Sequence, residues 1–391
     1  MWTRLILLSM LVATGSMAAD KPRARDLGVP FDGTTGPLNA ITDIAGIEVG
    51  HTTLINGSGE LRRGHGPVRT GVTAVLPRGK SNMDAVFAAW FSQNGNGEMT
   101  GTTWVEDSGQ MWGPVMITNT HSVGVVRDAV IEWGVVKHAR SLRIDTDDWW
   151  GLPVVGETWD GWLSDLNGFH VTKEHAFAAL DSASAGAVDE GNVGGGTGMI
   201  CYEFKGGIGT ASRVIELDGQ SYTVGVLVQA NFGWRSQLTI AGAPIGREIP
   251  EDPAYAASSR QGIERDMGSI IAIVATDAPV LPHQLKRMAK RVSMGIARTG
   301  GVASDSSGDI FLAFSTSADI AGQKNGVATV GMLPNPWMTT LFEATVQATE
   351  ESIVNALIAA ETMRGINDRV VYALPHDRLQ EALRKYNRLL P

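Results

Sequence analysis

Side-chain type and spacing suggest chemistry most directly in Asp266-Met267-Gly268-Ser269-Ile270-Ile271-Ala272-Ile273-Val274-Ala275-Thr276-Asp277. A small residue, Gly268, precedes a serine that opens an apolar run. An internal serine hydroxyl is a weak nucleophile, because its pKa is far from neutral and no base adjoins it in sequence. Cleavage before Ser269 would change that. The amine at a chain terminus titrates at about 7.7–8.0, so near neutrality part of it is free to accept the hydroxyl proton. Ser269 would then carry nucleophile and base together, the N-terminal variant of triad logic. Taken alone, Gly-Ser before a strand is common and reads first as an ordinary turn.

Other hydrolytic signatures are missing. No Gly-x-Ser-x-Gly occurs, so the nucleophile elbow is absent. No His-Glu-x-x-His occurs, and the eight histidines, His121 and His283 among them, are scattered singly, which gives poor support for a metal site. Gly194-Gly195-Gly196-Thr197-Gly198 lacks the Gly-Lys-Ser/Thr of a phosphate loop and the dinucleotide spacing. Its glycines read instead as permission for close backbone packing or approach to a substrate.

Such residues need rigid elements to hold them. Val72 to Leu76, Val115 to Asn119, Tyr222 to Val228, Ile270 to Ala275 and Ile310 to Phe314 read as strands. Several are nearly all apolar and so covered on both faces. Helical patterns lie at Ser122 to Trp133, Pro282 to Ile296, Pro336 to Met363 and Asp377 to Leu390. Gly242 to Arg265, with three prolines and several charges, reads as an exposed loop. Apolar strands and long amphipathic helices in both halves imply an α/β fold, sheets buried beneath helices in one layered domain.

The chain has 391 residues, 43% hydrophobic and 19% charged, enough for a large core. A net charge of -9 argues against nucleic acid as the main partner. The one cationic stretch, Lys286-Arg287 to Lys290-Arg291, has helical spacing and reads as a solvated helix face. Arg4, the apolar Leu5 to Val12 and Ser16-Met17-Ala18 form a signal-peptide pattern over residues 1–18. The apolar run is too short to span a bilayer of about 30 Å. Export to a bacterial periplasm is the expectation. The single cysteine, Cys201, rules out an intramolecular disulfide.

Several blocks resemble the family of L-aminopeptidase/D-amidases and β-aminopeptidases. They are Gly268-Ser269-Ile270-Ile271, Ala275-Thr276-Asp277-Ala278-Pro279, Leu281 to Arg287, and Ser307-Gly308-Asp309-Ile310-Phe311. Pro153 to Thr158, Gly191 to Gly198 and Val228 to Gly233 belong to the same set, in the family's order, so the resemblance runs from about Arg25 to Arg384. It implies a precursor that cuts itself between Gly268 and Ser269, leaving chains 19–268 and 269–391 together in a four-layer αββα sandwich of N-terminal-nucleophile type. Tetramers of such cleaved protomers are implied as well. Ser269 would be the processing residue and catalytic nucleophile, with Ser307 and Asp309 activating or orienting it. Asn231 would donate to the oxyanion, and Glu157 would sit near the substrate ammonium. No metal or organic cofactor is implied.

Each assignment has a plainer competitor in the residues themselves. Ser307 could be a turn residue, Asp309 a surface residue at a strand start, Asn231 the closing residue of a turn, and Glu157 a structural ion-pair partner. Trp159 stands where relatives carry a tyrosine that donates to the oxyanion. An indole N–H donates with a different length and angle, and Trp159 with Trp162 could instead wall the substrate side chain. The activity implied is removal of N-terminal residues (β-amino, D- or small L-residues) from short peptides and amides. Acyl transfer of the ornithine acetyltransferase type, and a non-catalytic periplasmic binding protein, are the alternatives.

Overall fold

The structure is a computed structural model that describes residues 21–137, 150–255, 268–317 and 326–391. The signal segment and the end of the loop before Gly268 lie outside the described residues.

Strand β11, Ser269–Thr276, shows why the sequence folds in layers. All its residues are buried. Ile270, Ala272 and Val274 join one apolar cluster, while Ile271, Ile273 and Ala275 join another. A strand sends alternate side chains to opposite faces, so a continuous apolar run marks a sheet covered on both sides.

This strand lies in a six-stranded sheet with β3 (Val86–Ser92), β4 (Gln110–Met111), β9 (Gly207–Leu217), β10 (Gln220–Asn231) and β12 (Gly308–Ser315). Their order is β4-β3-β12-β11-β10-β9. A second sheet is built from β1 (Glu48–Asn56), β2 (Val68–Leu76), β5 (Val115–Asn119) and β6 (Val154–Thr158), in the order β1-β2-β5-β6. Between β6 and β9 lies a hairpin of β7 (Ile200–Cys201) and β8 (Phe204–Lys205).

Three apolar clusters fill three interlayer spaces. One lies between the six-stranded sheet and the helices Pro282–Ala289, Val292–Arg298 and Met338–Ile358. A second lies between the sheets, joining Val75, Val115, Ile117 and Val154 to Leu227, Ile271 and Ile310. The third lies between the four-stranded sheet and the helices Val123–Glu132 and Lys173–Ser182. Three spaces separate four layers: the fold is an αββα sandwich.

The five expected strands are present, Val115–Asn119 with the bounds expected and the other four with wider ones. The expected helix over Pro282 to Ile296 is instead two, tightened at Lys290 and Arg291, where Arg291 N–H turns back to the Met288 carbonyl. The helix expected over Pro336 to Met363 spans Met338–Ile358, and the last helix is His376–Lys385. The cationic face is less free than expected, for Lys286 pairs with Glu106 and Arg291 lies over the Phe342 ring. The Gly242 to Arg265 loop is not exposed at its start. Ala243, Ile245 and Ile249 are buried, and Arg235 clamps the Ile249 and Glu251 carbonyls at 3.0 and 2.8 Å.

Strand β9 has no counterpart among the expected strands, because Gly207 and Gly209 weaken its pattern. The structure gives their reason. A Cβ on Gly209 would run into the Ser352 carbonyl of helix Met338–Ile358, so the helix can lie on the sheet only if that position is bare.

Candidate active site

Hydrogen-bond register brings the sequence-predicted residues together. In the antiparallel β10–β11 pair Asn231 stands opposite Ser269, and in the parallel β11–β12 pair Ser269 stands beside Gly308. Directly opposed residues share a face with Cβ atoms roughly 5 Å apart. Asn231 and Ser269 therefore share the face that looks toward the other sheet, like Ile271 two residues on.

Gly268 and Ser269 form a buried pair. Ser269 Oγ donates to the Gly268 carbonyl at 2.7 Å. The Gly308 N–H donates to that same carbonyl oxygen at 3.3 Å and to Ser269 Oγ at 3.2 Å. The hydroxyl thus lies against the peptide bond preceding its own residue, and a fixed backbone donor already faces the oxygen that would gain charge under attack. Preorganised donors of this kind stabilise an oxyanion without reorganising. Sequence reading does not single out Gly308 for this, since the acting group is its backbone. A signal exists in the bare glycine itself: a Cβ there would strike the Asn96 carbonyl.

Ser307 and Asp309 flank Gly308. Ser307 Oγ donates to Asp309 Oδ1 at 2.7 Å, and both residues are buried. Asp309 is not a surface residue at a strand start. It pairs in register with Ile270, which places it on the opposite face of the sheet from Asn231.

The Asn231 amide is held at both ends. Its Oδ1 accepts the Ile200 N–H at 2.7 Å and its Nδ2 donates to the Trp159 carbonyl at 3.1 Å. A backbone donor on one side and a carbonyl on the other fix which end is oxygen. One Nδ2 hydrogen goes to Trp159, leaving the second for a ligand. Trp159 therefore contributes its carbonyl; its ring is half-buried and covers Gly161. Trp162 packs edge-on to Tyr255 at 4.8 Å, with the Arg369 guanidinium 4.0 Å from its ring.

Glu157 comes from the other sheet. Its Oε1 accepts the Glu98 N–H at 3.0 Å, and no lysine or arginine pairs with it among the described residues. Burial pushes its pKa up, opposed by the neighbouring Thr120 hydroxyl and the Glu98 N–H. Gly97 separates it from the nucleophile strands. A Cβ built on that glycine would lie 3.1 Å from Gly308 Cα and 3.3 Å from Glu157 Oε1. A bare backbone here lets a carboxylate with no lysine or arginine partner among the described residues approach β12.

Asp160, missed by sequence reading, is fully buried beside this carboxylate. Its Oδ2 accepts from Asn119 Nδ2 at 3.0 Å. Burial raises its pKa to about 6, against hydrogen bonds from Thr70 and Asn119, and the nearby Glu157 charge adds to the rise.

The glycine-rich run Gly194–Gly198 packs between the sheets. Side chains there would meet Thr73, Gln229, Ile208 and Asp160, so close packing is the reason for its composition.

The Peptidase family S58 profile matches residues 39–371. The chain is 55% identical over 392 residues to the beta-peptidyl aminopeptidase BapA of Sphingosinicella microcystinivorans, covering 98% of this chain and 97% of that one. The solved L-aminopeptidase D-Ala-esterase/amidase of Ochrobactrum anthropi superposes with a TM-score of 0.87 at 48% identity, over 94% of this chain and 100% of that chain. That enzyme is described as a prototype for the serine aminopeptidases and a new variant among the Ntn hydrolase fold. A Burkholderia beta-aminopeptidase superposes with a TM-score of 0.82 at 44% identity, over 93% and 99% of the two chains.

Proposed function

Because this chain belongs to peptidase family S58 and is a peptidase of the aminopeptidase/amidase kind, we propose that it is made as a precursor which cuts itself at Gly268–Ser269. The observation that supports this most is the 2.7 Å contact of Ser269 Oγ with the Gly268 carbonyl, under the Gly308 N–H. Family membership also favours peptide hydrolysis over the acyltransferase and binding-protein alternatives.

In the precursor, Ser269 Oγ attacks the Gly268 carbonyl carbon and Gly308 N–H faces the developing oxyanion. Collapse expels the Ser269 nitrogen, which takes up a proton as a free amine, and leaves an ester. Water then splits the ester, giving a Gly268 carboxylate and restoring the Ser269 hydroxyl. In the mature enzyme the Ser269 amine takes the hydroxyl proton as Oγ attacks the substrate amide. The free N–H of Asn231 donates to the oxyanion, the proton passes to the departing amine, and water clears the acyl group. Ser307 and Asp309, hydrogen-bonded to each other on either side of Gly308, orient the new amine. Glu157 takes the substrate ammonium, which its burial with no lysine or arginine partner among the described residues suits, since a desolvated carboxylate gains from a positive ligand.

The substrates are N-terminal residues of short peptides and amides, with β-amino residues foremost, as the name of the 55% identical relative suggests. Residues 19–391 make one domain, reach the periplasm through the segment 1–18, and assemble as tetramers of cleaved protomers. Ser269→Ala tests the shared nucleophile: the variant should remain a single uncut chain and lose turnover of β-alanyl, D-alanyl and L-alanyl amides. An uncut variant with full turnover removes Ser269 from both roles.

A further inference from the structure

Lys205 is fully buried, at 0% exposure. Its Nζ donates to the carbonyls of Met199 at 2.6 Å, Gly206 at 2.8 Å and Gly196 at 3.4 Å. No carboxylate pairs with it among the described residues. Three carbonyl oxygens accept from the nitrogen among the described residues, and only an ammonium carries three hydrogens for them. Burial opposes the charged form and pushes its pKa well below the ordinary lysine value; the three carbonyl dipoles aimed at the nitrogen are what favour the ammonium there. An apolar side chain of similar length would fill the space without burying a charge.

The position of the first carbonyl gives the charge a use. Met199 C=O and Ile200 N–H belong to one peptide group. The carbonyl end takes Lys205 Nζ, and the N–H end donates to Asn231 Oδ1 at 2.7 Å. The Asn231 amide in turn donates to Trp159 with one N–H and has the second free. A positive charge, a peptide group and a side-chain amide thus stand in series. Hydrogen bonds in such a chain polarise one another, and a charged donor at its head is the strongest start. Electron density is drawn toward Lys205, so the far N–H becomes a better donor and the amide is fixed in orientation.

We propose that Lys205 is a positioning residue for the hydrolytic reaction, acting through the Met199–Ile200 peptide group to orient the Asn231 amide and strengthen its free N–H toward the oxyanion. This rests on the reading of Asn231 as the oxyanion donor. It makes no claim on self-cleavage, where Gly308 N–H faces the carbonyl, so variants at both positions should still cut themselves.

Full-length Lys205→Gln, Lys205→Met, Asn231→Ala and the combined Lys205→Gln/Asn231→Ala proteins test it, with kcat and KM for a β-alanyl amide measured per cleaved chain. Asn231→Ala should lower kcat by about 10²–10³. Lys205→Gln should lower kcat about tenfold with KM unchanged, the scale of a lost supporting contact. On the Asn231→Ala background the same change should cost nothing further, because its route is gone. Lys205→Met serves if the glutamine variant does not fold, since apolar replacements of buried charges are commonly tolerated. Wild-type kcat in a folded Lys205 variant, or an equal loss on both backgrounds, overturns the proposal. Should Asn231→Ala retain full kcat, the reading of Asn231 falls instead, and the two failures are distinguished.

Discussion

The two sheets treat their polar residues differently. In the six-stranded sheet, Asn231, Ser269 and Gly308 lie side by side on three adjacent strands, fixed by the ladder itself. In the four-stranded sheet, Glu157 and Asp160 sit at the end of β6 and just beyond it, held by a loop N–H and a neighbouring amide. In the proposed mechanism the first sheet positions the atoms that make and break bonds, where a shift of about 1 Å can cost a hundredfold in rate. The second would present charge to a substrate, a task that tolerates more movement. On that reading backbone register serves chemistry, and packing across the interlayer space serves recognition.

That contrast can be broken by experiment. Asn231→Ala, in the chemical sheet, should lower kcat by about 10²–10³ and leave KM nearly alone, since the oxyanion exists only in the transition state. A change confined to KM would move Asn231 to the recognition side. Glu157→Gln, in the other sheet, should act the opposite way. A hydrogen bond to a charged partner contributes about 1.5–3 kcal/mol, so KM for amides with a free ammonium should rise on the order of tenfold to a hundredfold. N-acylated analogues should show no such rise; equal effects on both would remove Glu157 from the ammonium site. Because burial raises its pKa, wild-type KM should also climb on the acid side, and the glutamine variant should lack that limb.

Asp160→Asn should have the smallest effect on turnover and a clear one on stability. The Asp160 pKa is about 6 in the fold against 3.8 for an ordinary aspartate, so the native state holds its proton more tightly than the unfolded chain. Its contribution to stability is therefore present in full below about 3.8 and is lost as pH rises through about 6. Thermal midpoints of the wild type relative to Asp160→Asn should fall across that window. Parallel curves would show that Asp160 keeps an ordinary pKa.

Within the six-stranded sheet, strands also differ in how much their sequence discloses. Strands β11 and β12 are legible because both faces are apolar, and a short, β-branched run such as Ile270 to Ala275 fits a doubly covered strand better than a helix. Strand β9 is not, since Gly207 and Gly209 serve a loop and a helix that touch them only in the folded chain. Ser269, Asn231, Ser307 and Asp309 become visible as a set through family resemblance, because the register that unites strands far apart in sequence is a tertiary fact. Gly308 acts through its backbone, which no side-chain pattern encodes. Lys205 and Asp160 look like surface charges in sequence, and only burial gives them meaning. Trp159 draws attention in sequence for its indole, whereas the atom that holds Asn231 is its carbonyl oxygen.

Intact mass and N-terminal sequencing of the purified active protein, with hydrolysis of a β-alanyl amide followed in the same samples, most directly test whether a broken backbone creates the catalyst. The expected result is two chains, the smaller beginning at Ser269, with activity rising in proportion to the cleaved fraction. A covalently continuous polypeptide that hydrolyses the amide at the full rate would contradict it.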